Sequence, residues 1–115
     1  MDFDEAIAAH SAWKNKLKAY LRKPDQSLNA SVVASDNQCA LGKWLYAEGA
    51  KHSALPEFKE LKNLHANFHR AAGELIRRAD AGESVAEEAA LGANSPFSTT
   101  STHVVQMILQ LKHKV

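Results

Sequence analysis

The feature that most constrains this chain is a stripe of apolar side chains between Pro56 and Asp80. Phe58, Leu61, Phe68, Ala72, Leu75 and Ala79, with His65 standing between Leu61 and Phe68, recur by three and four. That spacing brings them to one face of an α-helix. A helix with one long apolar face is not stable alone in water, so other helices must cover it. Pro56 with Glu57 marks its start, and residues 80–82 read as the turn that ends it.

The same spacing recurs from Asp2 to about Lys23, through Ile7, His10, Trp13 or Lys14, Leu17, and Tyr20 or Leu21. Asp2 can cap this helix with Glu5 three residues on, Arg22 and Lys23 suit its negative end, and Pro24 stops it. Residues 24–36 read as an ordered loop with room for one turn of helix around Val32 and Val33. A short second helix is expected from a Ser35 or Asp36 cap to about Glu48, with Gly49 as its stop. If Asp36 is the cap, Cys39 lies in the first turn, where free N–H groups favour a thiolate.

After residue 82 a short helical run is expected over Glu83 to Leu91. Ser95 then caps a last helix that has Pro96 in its first turn and Val104, Ile108 and Leu111 on one face, unless Pro96 only kinks one longer helix. There is no strand-like alternation and no internal repeat. The expected fold is all-α, an antiparallel four-helix bundle with an additional short helix, forming a single domain over residues 1–115.

Charge narrows the function. The chain has 14 basic and 13 acidic residues, a formal net charge of +1, and no basic stripe interleaved with aromatics, which argues against nucleic acid as a partner. Its first residues are acidic where a secretory signal would be basic, and no apolar run is long enough to insert in a membrane. A cytoplasmic location is therefore expected, and the single cysteine suits a reducing compartment.

Three histidines interrupt the apolar stripes. His10 is in line with Ile7 and Leu17, His65 occupies a seam position, and His69 follows four residues later on the same face. Two imidazoles at that spacing can grip one metal ion, although such a pair seen without context is more often two half-buried histidines bonded to carbonyls or water. Burying imidazole among Leu, Phe and Ala is costly unless each nitrogen finds a partner. Three imidazoles and the Cys39 thiol can share one. Three nitrogens and a sulfur form a tetrahedral set that suits Zn2+ better than calcium or magnesium, which prefer oxygen.

Di-iron chemistry would need carboxylates on the seam, and Glu57, Glu60 and Glu74 fall off it. A metal-free helical interaction module is the remaining alternative. His52, after the Gly49 stop, reads as a surface residue with a substitute ligand as its alternative, while His103 and His113 lack paired spacing and read as solvent-facing or hydrogen-bonded. Trp13 and Trp44 read as packing that keeps water from the site, Gly42 as allowing close approach near it, and Asp36 as a helix cap or an acceptor from a ligand imidazole.

The stretches AIAAHSAW, DNQCALGKWLYAEGA and ELKNLHANFHRAA resemble the chemoreceptor zinc-binding domain, a helical module of bacterial signalling named CZB. The family pattern is a histidine shortly before a tryptophan, then Cys-x-Leu/Phe-Gly-x-Trp, then His-x-x-x-His. This sequence supplies His10 and Trp13, then Cys39, Leu41, Gly42 and Trp44, then His65 and His69, and the closing NSPFSTTSTHVVQMILQL is similar to the family's last helix. The resemblance implies zinc held by His10, Cys39, His65 and His69, and a regulatory rather than enzymatic role. It further implies sensing of zinc or of oxidants such as hypochlorous acid through the cysteine. The implied partner is a chemoreceptor or diguanylate cyclase-type signalling output, and the implied assembly a homodimer. An output domain does not fit within 115 residues, so the chain is either free-standing or a piece of a longer protein.

Overall fold

The computed structural model describes residues 2–25, 27–83, 92 and 95–114, and in them the chain is helical without strands. Three long helices form the body: α1 (Phe3–Arg22), α4 (Pro56–Asp80) and α5 (Pro96–Lys114). Between α1 and α4 lie two short ones, α2 (Ala30–Ala34) and α3 (Ala40–Tyr46), and a 3-10 turn at Glu48–His52. This is the all-α bundle expected.

Each long helix starts where its sequence says it should. The Asp2 carboxylate accepts the Glu5 N–H at 3.0 Å, and Ser95 Oγ accepts the Ser98 N–H at 3.2 Å. Such caps are worth about 1 kcal/mol each. Pro96 is the first residue of α5, so the closing helix begins there and does not run through it. α4 starts with Pro56 at its first position and ends at a turn in which Gly82 takes φ 82°. The helical run expected over Glu83 to Leu91 falls almost wholly outside the described residues.

The apolar stripes meet in one core. Leu17 of α1, Leu61, Phe68 and Ile76 of α4, and Val104, Ile108 and Leu111 of α5 are all fully buried. Each such side chain contributes roughly 1.5–3 kcal/mol by leaving water. The Tyr20 hydroxyl donates to Asp80 Oδ1 at 2.6 Å, joining the C-terminal ends of α1 and α4, which therefore run parallel. Lys112 Nζ meets Asp4 Oδ1 at 2.9 Å, so α5 runs back against α1.

The fourth run of the bundle is broken. From the end of α1 the chain returns along α4 by way of α2, the Cys39 turn and α3, to reach Phe58 through Trp44. The single helix expected from residue 36 to about Glu48 is thus shorter, and its cap is neither Ser35 nor Asp36 but Cys39, whose sulfur accepts the Gly42 N–H at 3.3 Å. Gly49 does not end it either. A glycine stop needs a left-handed residue, and among the described glycines only Gly82 has positive φ, so the chain continues through Gly49 as a 3-10 turn.

Candidate metal centre

α4 supplies two donors. His65 and His69 lie one turn apart on its buried face, 0% and 3% exposed, and their Nε2 atoms are 3.0 Å from each other. α1 supplies the third, His10, which is 2% exposed with its ring centroid 5.0 Å from that of His65. The Cys39 turn supplies the fourth, with Sγ at 3.2 Å from His65 Nε2 and 3.5 Å from His69 Nε2. One donor atom from each of the four lies within 4.8 Å of all the others.

Hydrogen bonds on the far side of two rings fix which nitrogen faces inward. A carbonyl only accepts, so His10 Nδ1, 2.8 Å from the Ala6 carbonyl, and His69 Nδ1, 2.9 Å from the Val33 carbonyl, both carry protons. In the neutral rings each Nε2 is then a bare lone pair aimed at the cluster. His10 Nε2 is buried and meets no protein partner. His65 Nδ1 is likewise buried and unpartnered, so no hydrogen bond on its far side orients that ring.

Burial governs the protonation of the whole set. It lowers the His65 imidazole to about 3, with the neighbouring His69 and His10 adding to the effect. Burial also lowers His10 and His69, against the opposing pull of the Ala6 and Val33 carbonyls. It raises the Cys39 thiol more than the N–H groups of Gly42 and Leu41 lower it, so the expected ease of forming a thiolate is not a property of the helix start alone. A cation among the four donors would reverse that balance, because nearby positive charge favours the thiolate.

These residues fit zinc. Bond lengths of 2.0–2.1 Å to nitrogen and 2.3 Å to sulfur imply tetrahedral edges of about 3.3 Å between nitrogens and about 3.6 Å between nitrogen and sulfur. The observed 3.0, 3.2 and 3.5 Å lie close to these edges. The inward lone pair of His10 Nε2 is what a cation would satisfy and what the hydrogen bonds among the other three side chains leave without a partner.

The other residues singled out in the sequence fall into two groups. Near the donors, the edge of Trp13 approaches His69 at 6.4 Å between centroids, and Leu41 is buried. Gly42 has no room for a side chain, since a Cβ there would lie 1.8 Å from the Asp36 carbonyl oxygen. The close approach it permits is that of the turn leading into Cys39, not of a neighbouring helix. Asp36 neither caps α3 nor accepts from a ligand ring; its carboxylate takes the Tyr46 hydroxyl at 2.5 Å. Farther off, Trp44 packs on Phe3, Phe58 and His52, which makes His52 part of that aromatic group and not of the donor set. His103 and His113 are exposed.

Two contributors have no side-chain signature. The Ala6 and Val33 carbonyls act through the backbone, and only the fold reveals them. A groove of about 370 Å3 between Trp13 and α2, edged by Val32 and Gln38, opens onto Cys39 and His69.

No helix among the described residues is long and apolar enough to cross a membrane. Among protein-family models, that of the chemoreceptor zinc-binding domain matches residues 10–76, more than half of the chain and all four donors. Searches of curated proteins and of solved structures found no match.

Proposed function

Because the chain belongs to the chemoreceptor zinc-binding domain family, we propose that it is a cytoplasmic regulatory module of bacterial signalling, with one zinc ion held by His10, Cys39, His65 and His69. The observation that carries this reading is the convergence of four buried or half-buried donors from α1, the Cys39 turn and α4 on one point. Zinc bound there would tie those three segments together, and its binding free energy would be partly conformational free energy of the bundle. Four protein donors leave no open position for water or substrate, so the role is regulatory and not catalytic.

The residues divide the work. His65 and His69 form a fixed pair on α4, His10 is oriented by the Ala6 carbonyl, and Cys39 is the donor that a reagent can reach through the Trp13 groove. An oxidant such as hypochlorous acid would transfer one oxygen atom to the Cys39 sulfur, giving the sulfenic acid and chloride. Oxidised Cys39 is a poorer donor, and loss of its hold frees the turn and α3 to move. Zinc level acts through the same four donors. The module relays either input to a chemoreceptor or diguanylate cyclase-type output as a homodimer, with all of residues 1–115 in one domain.

Elemental analysis tests the core of this reading. The purified chain should carry one zinc, and chains with His10, Cys39, His65 or His69 replaced by Ala should each carry far less. A native chain without zinc after growth in zinc-replete medium would overturn it. Mass spectrometry with a zinc-release dye tests the oxidant step, which fails if Cys39 is oxidised while zinc stays fully bound.

A further inference from the structure

Gly73 lies one turn beyond His69 on the same face of α4, and it is buried. In a helix interior, glycine costs about 1 kcal/mol relative to alanine. What it gives in return is contact with α2. A Cβ at position 73 would lie 2.5 Å from the Ala34 Cβ, 2.8 Å from the Ala30 carbonyl oxygen and 3.0 Å from the Ala34 Cα. Two of those atoms are backbone, so no rotamer change relieves the clash and α2 itself would have to retreat. Ala30, Val33 and Ala34 form one face of α2, and the Val33 carbonyl between them is the acceptor for His69 Nδ1.

We propose that Gly73 is a positioning residue for the metal centre: by letting α2 rest directly on the α4 backbone, it places the Val33 carbonyl on His69 and keeps His69 Nε2 aimed at the other three donors. This inference rests on the zinc reading above. A retreat of α2 by even half an ångström to one ångström takes a 2.9 Å hydrogen bond to the edge of hydrogen-bonding distance. Partners that orient a ligand imidazole in this way typically account for 10- to 100-fold in metal affinity.

The test is Gly73→Ala in the full chain, with zinc affinity measured by chelator competition and the His69 ring nitrogens followed by 15N NMR. Zinc should bind roughly 10- to 100-fold more weakly, and the slowly exchanging His69 Nδ1–H signal should be lost or shifted. Helix content should hold, because alanine favours α4. Adding Ala34→Gly, which removes the nearest clash, should recover part of the affinity. A merely structural role would lower the melting temperature while leaving the zinc affinity and the His69 signal unchanged. Should Gly73→Ala fail to fold, Ala34→Val pushes from the α2 side and is read the same way.

Native zinc affinity in the variant, or a native His69 protonated on Nε2, overturns this inference alone. A native chain that takes up no zinc overturns the metal reading and this inference with it.

Discussion

α4 and the run that lies along it from Pro24 to Ser53 face each other across the donor cluster, and they are built on different principles. α4 is one helix of 25 residues whose backbone ladder holds His65 and His69 at a fixed separation. The opposite run is broken into helices of 5 and 7 residues and a 3-10 turn, and it holds Cys39 by a cap, a glycine contact and one surface hydrogen bond. Their chemistry differs in the same direction. Burial drives the imidazoles of α4 to stay neutral by lowering their pKa, and drives the thiol of the run to stay neutral by raising it. One side of the site is rigid by geometry. The other packs Val33, Leu41 and Leu45 into the core but fixes the Cys39 turn itself by a few short-range contacts, which is where a regulatory input has leverage.

The largest effect that separates the two sides should come from acid. In chelator-treated protein, His10, His65 and His69 are neutral in the fold below the pH at which the unfolded chain becomes charged, near 6.5. Between that value and about 3 for His65, the unfolded chain binds more protons, so stability falls as pH falls. His65 contributes a slope of up to about 1.4 kcal/mol per pH unit across this range, and His10 and His69 add in the same direction. The sign reverses at the thiol: the raised pKa of Cys39 means stability is lost as pH rises past the ordinary thiol range. Urea midpoints that stay flat from about pH 7 to pH 5 would contradict the buried, neutral set.

Next in size is Gly42→Ala. The new Cβ would overlap the Asp36 carbonyl oxygen, so the turn before Cys39 and the first turn of α3 must separate. Overpacking of this kind costs about 1–3 kcal/mol, and here it should also displace the sulfur, so zinc content should fall with stability. Retained zinc with only a lower melting temperature would mean that Cys39 is held by something other than this contact.

How much of this could be read beforehand follows the same division. The apolar stripe of α4, the Asp2 and Ser95 caps and Pro24 all leave local marks in sequence, because helix periodicity and capping are short-range physics. The three histidines stood out because they occupy positions where the stripe demands apolar side chains. The broken run left little. Helices of 5 and 7 residues are too short to display a period, which is why one helix from residue 36 to Glu48 was the simpler expectation. Cys39 as its own helix cap was hidden because sulfur is not a usual capping group. The Ala6 and Val33 carbonyls carry no residue-type signal at all, and Gly73 passes for a neutral position until α2 is seen against it.

The smallest predicted effect compares two surface contacts of nearly equal length. On α4, Arg77 Nη1 meets Glu74 Oε2 at 2.6 Å; on the run, the Tyr46 hydroxyl meets Asp36 Oδ2 at 2.5 Å. Arg77 and Glu74 are three residues apart on a continuous helix whose backbone already fixes their positions, so Arg77→Ala should cost no more than about 0.5 kcal/mol. Tyr46 and Asp36 sit at opposite ends of the segment that carries Cys39, and their bond closes it. Tyr46→Phe keeps the ring under Lys62 Nζ, which lies 4.4 Å from its centroid, and removes only the hydroxyl. The global loss should be below about 1 kcal/mol, yet amide exchange over residues 37–42 should quicken severalfold while α4 is unchanged. Arg77→Ala should quicken neither. If both variants leave residues 37–42 equally protected, the run is held by its packing on α4 and not by its own few contacts, and the contrast between the two sides of the site loses its basis.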